Sequence, residues 1–209
     1  MSEWHKEILV LGQTELLPAV KPFAKDFGLV GGTAVALHIG HRESIDFDLF
    51  TKKPDYDFDI PTLKRRFKRH AFIDTVIREK GSEFTFKARD VQITFYHFEY
   101  LIPYTEQFGS YFAMPSLLTL AAMKAFALGQ RAKWKDYVDM YFIMRDFHSL
   151  DDIAHEAERL FAPEFNAKLF RSQLSYFDDI NYREAVTFKP GFEVPDDKIK
   201  RALEEYSIS

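Results

Sequence analysis

The chain has 209 residues, a formal net charge of −4, 46% hydrophobic and 29% charged residues, and no cysteine. That composition excludes a disulfide framework, a thiolate metal site and, with 22 phenylalanines to bury, a disordered chain. No stretch approaches the roughly 18 uninterrupted apolar residues of a membrane-spanning helix, and Met1-Ser2-Glu3-Trp4-His5-Lys6-Glu7 lacks the basic-then-apolar order of a leader. A soluble, cytoplasmic protein with no membrane partner is therefore expected.

From Trp4 to Ala24, the residues Ile8, Leu11, Leu16, Val20 and Phe23 predict one or two amphipathic helices broken at Pro18 and Pro22. Phe27–Val30 reads as a strand entering a turn at Gly31-Gly32. Thr33 is placed to cap a short helix, Ala34–Ile39, stopped by Gly40. Ile45–Phe50 alternates, with Ile45, Phe47 and Leu49 on one side and Asp46 and Asp48 on the other. A helix opened by proline is predicted over Pro61–His70, then strands over Phe72–Arg78, Glu83–Lys87 and Val91–Tyr96. Helical spacing follows over Ser116–Gly129, Trp134–Phe147, Leu150–Phe161, Asn166–Leu174 and Lys198–Tyr206. The texture changes near residue 110. The prediction is an α+β fold: residues 1–110 as a mixed-sheet core flanked by helices, and residues 111–209 as a helical region packed on it.

Two features carry chemistry. Asp46 and Asp48 project from one strand face with Cβ atoms roughly 6–7 Å apart. Like charges so close repel unless a cation lies between them, and an all-oxygen pair suits a hard divalent ion. Alone, such a pair reads more simply as two acids facing water. Gly31-Gly32-Thr33 at a helix start offers unpaired backbone N–H groups to a phosphate, although alone it reads as an ordinary strand-to-helix turn. In sequence order, the two form half of a nucleotidyl-transfer site.

That order resembles the DNA polymerase β-like nucleotidyltransferase superfamily, and more closely its AbiEii/AbiGii-type toxins. The resemblance rests on Leu29-Val30-Gly31-Gly32-Thr33-Ala34-Val35-Ala36-Leu37 and Gly40-His41-Arg42-Glu43-Ser44-Ile45-Asp46-Phe47-Asp48-Leu49-Phe50. It continues in Lys124-Ala125-Phe126-Ala127, Arg131 and Lys135-Asp136-Tyr137-Val138-Asp139-Met140-Tyr141. It implies a nucleotidyltransferase using Mg²⁺ or Mn²⁺, with Asp46 and Asp48 as metal-holding catalytic acids joined by Lys124 and Asp136. Gly31, Gly32, Thr33, Arg131 and Lys135 would bind the nucleotide, and Asp139 would lie near the same cleft. The implied partners are a nucleoside triphosphate, an RNA acceptor such as a tRNA or a protein acceptor, and a cognate antitoxin.

One position departs from the pattern. Thr94 stands where the family places a third carboxylate, leaving Asp74, Glu83 and Glu99 as replacements from elsewhere. The alternative reading is a catalytically impaired nucleotide-binding or partner-binding module. Arg42 is expected to offset the carboxylate pair, Ser44 to fix the loop, and His41 to be solvated. Lys135 and Asp139 also read as an i, i+4 pair. The basic run Lys64-Arg65-Arg66-Phe67-Lys68-Arg69-His70 reads as a solvated face or an RNA contact. Phe84, Phe86, Phe95, Tyr96, Phe98 and Tyr100 read as sheet core.

Overall fold

A computed structural model describes residues 4–208; Met1–Glu3, part of the start read for a leader, and Ser209 lie outside the described residues. The alternating segments do form strands. β1 (Phe27–Val30), β2 (Phe47–Thr51), β3 (Thr75–Lys80), β4 (Glu83–Ala88) and β5 (Val91–Tyr96) make one mixed sheet in the order β1-β2-β5-β4-β3. β2 and β5 run parallel, which sets Asp48 beside Thr94 and Phe50 beside Tyr96; the other pairings are antiparallel. Period-two alternation then sorts the two faces. Phe47 and Leu49 of β2, Phe84 and Phe86 of β4, and Ile93 and Phe95 of β5 are fully buried. They pack against Phe23 and Phe67, with Phe23 4.7 Å from Phe95 and Phe67 4.6 Å from Phe86 between ring centroids.

Helices surround this sheet. α1 (Leu11–Val20), α2 (Gly31–Ile39) and α3 (Ile60–Phe67) belong to the first half, and α4 (Leu117–Leu128), α5 (Trp134–Asp146), α6 (Leu150–Phe161), α7 (Ala167–Leu174) and α8 (Asp196–Ser207) to the second. Side-chain caps fix several starts: Asp59 accepts from Thr62 N, Ser116 from Thr119 N, Ser149 from Asp152 N and Asn166 from Leu169 N. One hydrophobic core runs from Leu16 and Phe95 through Ala121 and Tyr137 to Leu203, so both halves share it. The fold is α+β, as expected. No helix among the described residues is long and apolar enough to cross a membrane.

Several local expectations are corrected. Pro18 does not break α1; it lies on the exposed side of the last turn, where the missing N–H removes one ladder bond next to water. Thr33 does not cap α2, which begins two residues earlier with Val30 at the cap position. β3 starts at Thr75 rather than Phe72, whose side chain is exposed. A short hairpin, β6 (Glu106–Phe108) and β7 (Phe112–Met114), lies before α4 where no strand was read.

The segment from Ile180 to Lys189 crosses back over the first half as a strap. Asn181 pairs with the turn before α5, through Asn181 N to Ala132 O at 2.8 Å and Trp134 N to Asn181 O at 3.2 Å. Further on, Glu43 N donates to Thr187 O at 2.9 Å and Lys189 N to His41 O at 3.0 Å. The strap thereby joins the loop before β2 to the start of α5.

Candidate active site

A cleft of about 430 Å³ opens between the polar face of β2, β5 and β4 and the C-terminal end of α4. Asp46, Asp48 and Gly31 line one end. Gly31 has φ of +71°, and a Cβ there would stand 2.2 Å from Asp48 Oδ2, so only glycine permits this approach of turn and carboxylate. Gly32 faces Arg42 instead; its Cβ would meet the guanidinium at 2.6 Å. Thr33 is buried behind the turn, its hydroxyl donating to Asp46 O and accepting from Ser44 Oγ at 2.9 Å. The Thr33–Asp46 bond aims Asp46, and Ser44 holds the loop through the Thr33 hydroxyl rather than through the backbone bond expected of it.

Neither Asp46 nor Asp48 makes a side-chain hydrogen bond or ion pair with another described residue. Burial raises both pKa values above the ordinary carboxylate range. For Asp48, the adjacent Asp46 charge adds to burial and the value reaches about 6. Two half-buried, unpaired carboxylates are an unmet demand for positive charge. Lys135 and Lys133 answer it at Asp46, and Arg131, Lys124 and Lys133 at Asp48, only through space.

Behind that end lies a buried charged cluster. Arg42 donates to Asp139 from Nε at 2.6 Å and Nη2 at 2.8 Å; His41 Nε2 lies 2.7 Å from the same carboxylate. Lys124 Nζ bridges Asp139 at 2.7 Å and Asp136 at 2.6 Å. Burial alone would raise the Asp139 pKa, but Arg42 and Lys124 hold it well below the usual range. His41 is the clear correction: it is fully buried, and burial lowers its pKa despite Asp139. Its Nδ1 has no partner, so Nε2 carries the hydrogen donated to Asp139. Arg42 spends its hydrogen bonds on Asp139 and offsets the carboxylate pair only through space, where its charge opposes the effect of burial on Asp46. Lys135 does not pair with Asp139; it binds Glu184 of the strap at 3.1 Å, and Lys133 binds the same carboxylate at 2.9 Å. Burial opposes the shift, yet these two lysines pull Glu184 down to about 2.

The expected residues therefore sit in two layers. Gly31, Asp46, Asp48 and Arg131 line the cleft, whereas Gly32, Thr33, Lys124 and Asp139 support it from behind. Asp136 joins the layers: Oδ1 holds Lys124, while the buried Oδ2 lacks a hydrogen-bond partner and lies 3.7 Å from Arg131 Nε. Arg131 lies beyond the end of α4 and is 58% exposed, so it does not extend the Lys124 helix face. Lys133 and Glu184 were not anticipated. The alternation Arg131, Lys133, Lys135 is a signal for the first, but nothing local marks the second.

Thr94 faces the cleft beside Asp48, as its strand position implied, and its hydroxyl donates to Thr85 Oγ1 at 3.3 Å, since the Thr85 hydrogen is held by Glu83. Of the three replacement acids only Glu83 lines this cleft; Asp74 and Glu99 line other hollows. Glu83 sits two strands from Asp48 and two residues along, about 12 Å between Cα atoms by strand geometry. No cluster of three metal-ligating side chains exists among the described residues. The aromatic run divides: Phe84, Phe86 and Phe95 are core, whereas Tyr96 and Phe98 line the cleft. On the basic helix, Lys64 holds Glu79 at 2.6 Å and Arg66 stacks on Phe23 at 4.6 Å.

The sequence matches, over residues 15–205, the family described as nucleotidyl transferase AbiEii toxin of a type IV toxin–antitoxin system. An uncharacterized protein of Aquifex aeolicus (strain VF5), aq_aa25, is 30% identical over 190 residues, covering 87% of this chain and 88% of that one. A candidate nucleotidyltransferase from H. pylori superposes with a TM-score of 0.60 at 16% identity, over 94% of this chain and 92% of its own. MenT4, the nucleotidyltransferase toxin Rv2826c of Mycobacterium tuberculosis H37Rv, gives a TM-score of 0.57 at 11% identity, over 94% and 82%. At such identities the structural likeness establishes the fold.

Proposed function

The chain belongs to the AbiEii nucleotidyl transferase toxin family, and from that premise we propose that it transfers a nucleotidyl group from a nucleoside triphosphate to a hydroxyl of RNA or protein, acting as a toxin held in check by a cognate antitoxin. The observation that carries this reading is the unpaired Asp46/Asp48 couple beside the Gly31 turn. It fits Mg²⁺ or Mn²⁺, because such ions take one or two carboxylates and complete their shell with water and substrate phosphate. A cation held there neutralises the phosphate oxygens around the reacting phosphorus.

This chain's own residues do the rest. The Gly31 turn leaves room for phosphate against backbone, and Arg131 and Lys133 add charge on the opposite wall. Lys124 acts through space, since its ammonium is committed to Asp136 and Asp139. The acceptor oxygen forms its bond to the α-phosphorus, the bond to the β-phosphate oxygen breaks, and pyrophosphate leaves. The acceptor proton passes to water, because Thr94 offers no carboxylate beside Asp48.

Incubation with each labelled nucleoside triphosphate, Mg²⁺ and either total RNA or total protein tests the reading. Label should appear on one acceptor class with release of pyrophosphate. Nucleotide binding without transfer to either class would instead favour a non-catalytic module, the reading that Thr94 supports.

Thr94 also gives a test in the opposite direction. Thr94→Asp adds an acid next to Asp48, and base assistance is worth about 10²–10⁴ in rate when well placed. Turnover should rise tenfold or more, while Thr94→Ala should change little. Unchanged transfer in Thr94→Asp would show that this strand position does not meet the acceptor.

A further inference from the structure

The far end of the cleft is unlike the end that suits phosphate. Two residues beyond Asp48 on the same strand face stands Phe50, about 6.7 Å along β2. Its register partner is Tyr96, and Phe98 follows. The Phe50 ring lies 5.0 Å from both the Tyr96 and Phe98 rings, and Phe126 faces them from α4. All four rings are half-buried and line the cleft, in a protein that otherwise buries its sheet phenylalanines completely. A concave surface of partly exposed rings is a stacking site, and its distance from Asp48 is about that of a ribose.

Glu83, on β4, is the register partner of Tyr96 on β5. Its carboxylate holds Arg78 Nε at 2.9 Å and accepts from Thr85 Oγ1 at 2.8 Å. A carboxylate has about four acceptor sites, so two remain open toward the cleft. We propose that this end seats the nucleotide base, stacked on Phe50, Tyr96 and Phe98, and that Glu83 selects bases bearing an exocyclic amine. The proposal rests on the nucleotidyltransferase reading and specifies its substrate. Cytosine and uracil share a ring size but differ at C4, an N–H donor in one and a carbonyl in the other. Glu83 accepts from the first and repels the second, as a carboxylate facing a carbonyl oxygen must.

Titration of the full chain with CTP, UTP and inorganic tripolyphosphate, all with Mg²⁺, tests this. CTP should bind about tenfold more tightly than UTP. Tyr96→Ala should weaken both about tenfold, the scale of one lost base–aromatic stack, and leave tripolyphosphate unchanged; Tyr96→Phe should bind as wild type does. Glu83→Gln, whose amide serves either partner, should bring the CTP/UTP ratio near one. Nucleotides binding no better than tripolyphosphate, or equal affinities in wild type and Tyr96→Ala, would overturn the base site alone. Wild-type protein that binds neither nucleotide nor tripolyphosphate would overturn the nucleotide reading and this site with it.

Discussion

Replacing Asp46 and Asp48 together by Asn should lower nucleotidyl transfer by about a thousandfold while making the metal-free protein more stable at neutral pH. The loss of rate follows from removing the only unpaired carboxylates of the described residues that line the cleft, where charge developing on phosphate must be balanced. The gain follows from the sign of the Asp48 shift. Burial and the Asp46 charge raise its folded pKa to about 6, above the value of 3.8 that it has without them. The unfolded chain therefore ionises first, and stability is lost as pH rises from about 4 through 6 and stays lost at 7. Asn removes that penalty. Allowing for screening of a half-buried group, the gain is about 1–2 kcal/mol at pH 7 and vanishes near pH 3. Thermal melts at both pH values, beside a transfer assay, check this. A double variant that keeps its activity, or that melts lower than wild type at pH 7, would remove these acids from the reaction centre.

Asp139→Asn should have the opposite signature, a loss of about 3–5 kcal/mol of stability. Asp139 is fully buried and takes hydrogen bonds or ion contacts from Arg42, His41 and Lys124. Without its charge, Arg42 and Lys124 keep only Asp136 as a buried counter-ion. Because Asp139 has a depressed pKa, its contribution is present above about pH 4 and is lost only as pH falls through its much lower folded value. The deficit in the variant should therefore be constant from pH 5 to 8 in chemical denaturation. A variant as stable as wild type would mean that the cluster is not needed to hold α2, α4 and α5 together.

The sequence was legible where local pattern decides structure. Alternation placed Asp46, Asp48 and Thr94 on one face, and helical spacing placed the late helices within a residue or two. It was illegible where burial is decided by distant chain. His41 follows a glycine in a loop, and only the arrival of Phe142 from α5, 4.9 Å away, and of the strap at Lys189 buries it. Glu184 lies in a stretch without periodicity, so its contact with Lys133 and Lys135 had no antecedent in pattern. The β6–β7 hairpin has three-residue strands, too short for alternation to declare itself. The aromatic run is a correction of the same kind: all six rings read as sheet core, but Tyr96 and Phe98 lie on the face that opens on a cleft, which composition alone does not reveal.

The strap also orders events during synthesis. Asp46, Asp48 and the Gly31 turn leave the ribosome early, and the lysines at 133 and 135 follow. The loop from His41 to Glu43 lacks two of its backbone bonds, and both lysines lack Glu184, until residues 180–189 have emerged and folded back. A nascent chain therefore carries its acids well before the strap completes the loop and the lysine pair beside them.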